Sequence, residues 1–291
     1  MTTWEITIRN IVLLAGALVL TLGGFVAAES LAPDAEVIKP LNEIPLAQLR
    51  VMLKGYSGDW RNDSPQAQGV AAPSATKEVA PNVKRIKLPA FKDSLQGTPP
   101  LVEVLEHRRS RREYSDEPLT LRELSFLLWS TQGVTGSEDG SVPLRAAPSG
   151  GGRYPMETYL AVMSVESTPP GIYRYLPQEH ALVVARSGDD PAPAVRTACY
   201  DASFVGDAAV VFVWAAVPER TEWKYGYLAH RMIAMEAGHI CQNLYLACES
   251  IGAATCALLA YDQESMDRLI GVGGKEEFVV YLATVGKRVG E

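Results

Sequence analysis

Helices and strands that mix without strict βαβ alternation predict an α+β fold, and three stretches carry that reading. Val210 to Val217 is a continuous apolar run, the pattern of a central strand covered on both faces. Leu228 to Ile251 is a long helical stretch with few polar residues, so its own fold or a second subunit must enclose most of its sides. Glu277 to Val285 closes the chain as a buried strand.

The remaining elements follow in chain order. From Ile11 to Ala28 no residue is charged; Arg9 precedes the run and Glu29 follows it. With small residues at Val26, Ala27 and Ala28, this is the layout of a secretory signal. At 1.5 Å per residue the run is roughly 27 Å long, so an uncleaved membrane anchor fits as well. A buried core helix is the weaker alternative, because Gly16, Gly23 and Gly24 interrupt the run. Either of the first two readings places the remainder outside the cytoplasm, periplasmic or membrane-anchored. Residues 29–97 are rich in Pro, Ala, Ser and Asp and read as a low-complexity tether. Within it, Pro45 to Leu53 is a candidate short element. A domain spans residues 98–291. Thr98 before Pro99 and Pro100 predicts an N-cap and a helix to about His107. Thr120 with Glu123 forms a capping box ahead of Leu124, Phe126, Leu127 and Leu128. Met156 to Val165 is strand-like, and Ile172–Leu176 with Ala181–Ala185 reads as a hairpin. Asp262 caps a short helix that ends at Gly271.

Composition bounds the function. The 291 residues are 47% hydrophobic and 21% charged with a net charge of -7, which excludes disorder throughout and argues against a nucleic-acid binder. A single long apolar run excludes a multispanning membrane protein. Cys199, Cys241, Cys248 and Cys256 have no metal or redox spacing. Helical spacing puts Cys241 and Cys248 about 10 Å apart, too far to bridge, so buried thiols are expected.

Three constellations carry chemistry. His107 to Arg112 reads H-R-R-S-R-R, four arginines in five residues of an acidic protein. Guanidinium groups offer planar paired donors suited to phosphate, and Ser110 adds a hydroxyl; a solvated basic patch is the plain alternative. Pro148 to Pro155 reads P-S-G-G-G-R-Y-P, whose glycines let backbone approach a flat ligand and expose amide donors. It lacks dinucleotide spacing, and a strand follows it. Trp223 to Gly226 reads W-K-Y-G, setting the Lys224 ammonium beside the Tyr225 phenol, two groups able to exchange protons. His230 and His239 are nine positions apart, no metal spacing on a helix, and no metal site is expected.

Taken in order, R-R-S-R-R, P-S-G-G-G-R-Y-P, K-Y-G, E-A-G-H-I-C-Q-N-L-Y-L-A and F-V-V-Y-L-A-T-V-G-K resemble the nitroreductase superfamily. More narrowly, they resemble its SagB-type, or thiazole/oxazole dehydrogenase, branch. The resemblance runs from about Leu101 to Lys287. It implies an FMN-dependent fold with a central, mainly antiparallel sheet flanked by helices, and a homodimer with flavin at the subunit interface. By motif, Arg108, Arg109, Ser110 and Arg112 would hold the flavin phosphate and ribityl chain. Pro148, Ser149, Gly150 and Gly151 would lie near the ring, supplied by the partner subunit. Leu259 and Ala260 would offer backbone contacts to the ring, and Lys287 or Arg288 a last phosphate contact. Lys224 and Tyr225 stand where the branch places its catalytic pair. Gly151 and Arg153 depart from relatives, which often have Ala and Leu there.

The expected function is therefore an FMN-dependent oxidoreductase that moves hydride between flavin and a small organic or peptide-derived substrate, with NADH or NADPH as a candidate electron donor. The alternative is a non-catalytic module that binds flavin or another anion at the cell envelope.

Overall fold

The computed structural model describes residues 43–55, 60–95, 98–138, 142–188 and 190–290. The leader and the first part of the tether lie outside the described residues. Two compact units divide at Gln48 and Leu49. The first contributes residues 43–48, which open a short helix, Leu46–Leu49, in the stretch expected to form a local element. Everything below belongs to the second unit. Among the described residues no helix is long and apolar enough to cross a membrane.

Among the described residues nine strands build this unit: β1 Arg85–Lys87, β2 Val134–Glu138, β3 Val142–Arg145, β4 Met156–Val162, β5 Gly171–Leu176, β6 Ala181–Arg186, β7 Val210–Ala216, β8 Ala253–Leu258 and β9 Phe278–Lys287. Its principal helices are α1 Leu101–His107, α2 Leu121–Gln132, α3 Ala192–Ala198, α4 Ser203–Gly206, α5 Glu219–Tyr225, α6 Ala229–Ser250 and α7 Gln263–Ile270. Seven strands form one sheet in the order β1-β6-β5-β4-β7-β9-β8. Every neighbouring pair is antiparallel. Strands β2 and β3 make a separate hairpin that leads into the glycine loop.

Strand β7 shows why an unbroken apolar run was needed. Side chains alternate across a sheet. Phe212 and Trp214 therefore pack on one side with Leu124 and Leu128 of α2 and Ile233, Ile240 and Leu244 of α6. Val211 and Val213 pack on the other with Val195 of α3, Val205 of α4 and Met266 of α7. With both faces covered, a polar residue at any of these positions would lose its water without gaining a partner.

Side-chain caps set the starts of α2 and α7. The Thr120 hydroxyl accepts the Glu123 N–H at 3.1 Å and Glu123 Oε2 accepts the Thr120 N–H at 2.9 Å, so the capping box starts α2. Asp262 accepts the Ser265 N–H at 2.9 Å to start α7, and Gly271 ends it at φ 79°. One expectation is corrected: Thr98 is not the N-cap of α1. Pro100 holds that position without a side-chain cap bond, and the Thr98 N–H goes back to Leu95 O. A residue before proline is pushed out of the helical region, so the Pro99–Pro100 pair delays the helix to Leu101.

The stretch read as a tether also supplies structure. Its Arg85–Lys87 is the edge strand of the main sheet, paired with β6. Upstream, Gln66 N–H donates to Trp223 O at 2.9 Å, and Trp223 Nε1 donates to Val70 O at 2.7 Å. Arg220 Nε donates to Ser74 O at 3.1 Å, while Arg174 donates to Lys77 O and Glu78 O. Arg174 and Arg220 share buried Glu157 at 3.3 and 2.7 Å. These two arginines tie the outer segment to the domain without leaving the carboxylate unpaired.

The four cysteines are free and buried. Burial pushes the Cys199 thiol up to about 11 and Cys241 to about 12, which keeps both protonated and inert.

Replacing Thr120 by Ala removes one partner of the capping box. Urea denaturation should show a loss of about 1 kcal/mol with an unchanged slope.

Candidate active site

Two polar constellations lie along α6. After α1 ends, with Arg108 N–H bonded to Val104 O, the arginine segment runs past the C-terminal half of α6 and along β8, where Arg111 N–H donates to Thr255 O at 3.0 Å. Ser110 Oγ lies 2.8 Å from Tyr245 Oη, which also accepts the Ala257 N–H at 2.8 Å. The Arg108 guanidinium sits over the Tyr245 ring at 5.1 Å, and Arg112 lies 5.8 Å from the Phe204 ring. Arg109 turns back onto the carbonyls of Glu106 and Arg108. Glu249 accepts a hydrogen bond from Arg111 at 2.6 Å and forms an ion pair with Arg288, whose Nη2 lies 2.7 Å away. Burial alone would push the Glu249 carboxyl up, but the hydrogen bonds and charges of Arg288 and Arg111 outweigh it and hold it below the usual carboxylate range.

Two guanidinium groups thus meet at one carboxylate, and three more belong to the same short segment as Arg111. Among the described residues Arg108, Arg109 and Arg112 have no ion-pair partner, whereas Arg111 and Arg288 share Glu249. This surplus of planar cationic donors, with the Ser110 hydroxyl between them, suits a phosphate group. Lys287 points elsewhere: its Nζ is 2.5 Å from Glu123 Oε1, bracing the cap of α2. Leu259 and Ala260 follow β8, and Leu259, 69% exposed, borders an apolar groove of about 460 Å³ lined by Ile233, Ala237, Phe278, Val280 and Tyr281.

The second constellation gathers the glycine loop and the lysine–tyrosine pair at the N-terminal half of α6. Ser149 Oγ accepts the Tyr154 N–H at 2.8 Å, and the Gly150 N–H donates to Glu236 Oε1 at 2.9 Å. Exposed Pro148 leads into this turn. Gly151 has φ 61°, and a Cβ there would lie 2.6 Å from Tyr225 Oη and 2.9 Å from Lys224 Nζ. The left-handed backbone favours glycine here, and a Cβ would push the ends of the pair aside. Lys224 Nζ lies 5.8 Å from the Tyr225 ring centre. Burial first, then the charge of Glu236, pushes the Tyr225 phenol up against the opposing pull of Arg153, so the hydroxyl keeps its proton through neutral pH. Arg153 stacks on the Trp223 ring at 4.8 Å and donates to Arg220 O at 2.7 Å, fixing α5 to the loop.

The two constellations do not meet within the chain. Glu236 and Tyr245, which anchor them, are nine residues apart on α6. At 100° and 1.5 Å per residue they point in opposite directions and are about 14 Å apart along the axis. Glu236, Tyr245 and Glu249 were not singled out from the sequence, although all stand in or beside the E-A-G-H-I-C-Q-N-L-Y-L-A stretch. Polar residues recurring on an otherwise apolar helix were the available signal. Among the described residues no group of three or more His, Cys, Asp or Glu is arranged to hold a metal ion. His230 instead contacts Glu222 at 2.8 Å.

A model of the nitroreductase family matches residues 105–287. The chain is 35% identical over 189 residues to a Methanocaldococcus jannaschii protein provisionally named a nitroreductase, covering 65% of this chain and 91% of that one. It is 30% identical over 138 residues to the microcin B17-processing protein McbC of Escherichia coli, covering 46% of this chain and spanning about half, 50%, of that relative. In fold, a Ralstonia eutropha protein, also provisionally named a nitroreductase, superposes with a TM-score of 0.60 at 29% identity, over 73% of this chain and 93% of that one. The E. coli microcin synthetase McbBCD complex, solved with truncated pro-MccB17 bound, gives a TM-score of 0.55 at 22% identity, over 78% of this chain and 88% of that one, a likeness of fold alone.

Glu249→Gln keeps the shape but leaves two guanidinium groups without their counter-charge. At neutral pH the variant should be less stable by about 2 kcal/mol. A carboxyl held below its usual range stabilises above that range and loses the effect on acidification. Urea midpoints measured from pH 7 downward should therefore converge as the wild-type carboxyl takes up its proton.

Proposed function

The chain belongs to the nitroreductase family, and on that premise we propose that it is an FMN-dependent oxidoreductase whose complete sites form between two copies of the chain. The observation that carries the proposal is the placement of the arginines and the glycine loop on opposite sides of α6. A single copy then offers two half-sites, and a two-fold dimer joins the arginines of one copy to the loop and pair of the other.

Arg108, Arg109, Ser110 and Arg112 would hold the phosphate and ribityl chain, because their charge is not neutralised within the described residues. Arg288 lies beside them, through Glu249. Leu259, at the mouth of the apolar groove, and Ala260, which follows it, would meet the ring edge with backbone groups and exclude water from one side. FMN, when bound, supplies hydride chemistry. Lys224 and Tyr225 would manage the proton that accompanies it; Tyr225 is poised to donate, since its hydroxyl stays protonated. The likeness to McbC supports a small organic or peptide-derived substrate. NADH or NADPH is the proposed reductant. An exported or membrane-anchored location, supported by the leader alone, completes the reading.

Purified protein should take up FMN, and Arg108→Ala should weaken retention in equilibrium dialysis about tenfold or more. Protein that stays colourless after soaking would overturn the flavin reading, whereas bound flavin that NADH, NADPH and candidate acceptors leave unchanged would favour a binding module. Co-expression of Arg108→Ala and Lys224→Ala chains tests the shared site. Each mixed dimer would contain one intact site and recover turnover that neither variant shows alone, while sites confined to single chains would recover none.

A further inference from the structure

Glu236 is a buried group at the glycine loop that the proposed chemistry leaves unused. It is 6% exposed and has no ion-pair partner among the described residues. Its Oε1 accepts the Gly150 N–H at 2.9 Å, and the neighbouring Ser149 hydroxyl accepts the Tyr154 N–H at 2.8 Å, which closes the turn beside it. A Cβ on Gly150 would come within 3.6 Å of Oε1 and would strike Met232, so the loop backbone is seated directly on this face of α6. One residue further, the space a Cβ on Gly151 would need is taken by Tyr225 Oη and Lys224 Nζ. The loop is therefore clamped between the carboxylate on one side and the pair on the other.

We propose that Glu236 is a positioning residue of the Lys224–Tyr225 site: its carboxylate pins the Gly150–Gly151 turn against the pair, with the Tyr225 hydroxyl one residue further along the turn. The inference rests on the proposed function only in taking Lys224 and Tyr225 as the reacting pair. A purely structural acceptor for Gly150 would need no charge, since an amide oxygen of the same shape would serve. Glu236 keeps a titratable carboxyl in a site where ionisation is costly. Burial pushes that carboxyl up, while the Gly150 and Ser149 hydrogen bonds and the charges of His239 and Arg145 pull it down; the balance is upward. Arg145 is itself buried, with Nη1 on Gln132 Oε1 at 2.9 Å and its guanidinium 4.4 Å from the Tyr154 ring. The groups facing Glu236 are thus Gly150, Ser149, His239, Arg145 and Tyr225. Of these, Tyr225 is the one whose own proton the charge retains.

The test uses the full chain without flavin and has two readouts. Amide hydrogen exchange at Gly150 to Gly152 reads the clamp. Glu236→Ala should speed exchange there about tenfold or more, while Glu236→Gln, which keeps an acceptor, should stay within about threefold of wild type. A fluorinated tyrosine at position 225, whose phenol titrates nearer neutrality, reads the charge by its fluorine resonance against pH. Glu236→Gln should make that phenol several-fold more acidic. Should Glu236→Ala fail to fold, the Gln variant and the fluorine titration decide alone. Unchanged loop exchange in the Ala variant, or an identical phenol titration with and without the carboxylate, would overturn the proposal. Neither readout involves flavin, so a failure here leaves the flavin reading untouched, and a colourless protein leaves this one untouched.

Discussion

Polar side chains on one nearly apolar helix govern where the functional segments of this protein can lie. Glu236, Tyr245 and Glu249 of α6 are each less than a tenth exposed. A buried polar group without a partner costs a few kcal/mol, and a buried charge costs more. Each therefore draws a segment of chain onto the helix. Glu236 takes the glycine loop, Tyr245 takes Ser110 and the Ala257 N–H, and Glu249 takes Arg111 and Arg288. The demand for partners, rather than any preference of the loops themselves, places the candidate phosphate and ring contacts.

Helix geometry then separates what polarity has gathered. A nine-residue offset turns the two anchors to opposite faces, so the arginines and the glycine loop look away from each other. Between them the outer surface of α6 carries exposed Ala234, Met235 and Gly238, small or flexible residues that allow another surface to approach closely. The arrangement supports a site completed by a second copy of the chain.

The segment outside the family match adds a further constraint. Helix α5 carries Trp223, Lys224 and Tyr225 on only seven residues, too short to be stable unaided. Residues 66 to 74 hold it through the Trp223 carbonyl, the Trp223 indole and Arg220. Arg153 joins the same corner by stacking on Trp223 and donating to Pro73 O. The lysine–tyrosine pair is thus supported from the loop side by Gly151 and from the outer side by a stretch whose composition reads as linker.

Sequence periodicity and capping chemistry revealed the buried strand β7, the hairpin of β5 and β6, the capping box of α2 and the extent of α6. These depend on residues close together in the chain. The three motifs were legible for the same reason, as runs of unusual composition. Strand β1 was missed because three residues carry too little pattern, and β8 because Ala253 to Leu258 follows the helix without a clear break in polarity. Only the folded chain showed that Tyr225 fills the space beside Gly151, that Lys287 serves the α2 cap while Arg288 joins the arginines, and that the loop and the arginines occupy opposite faces. Local pattern tells which residues must be buried or turned. Which distant groups then satisfy one another is settled by packing, because the partner of a buried polar atom is whatever donor or acceptor the tertiary fold brings within three ångströms of it.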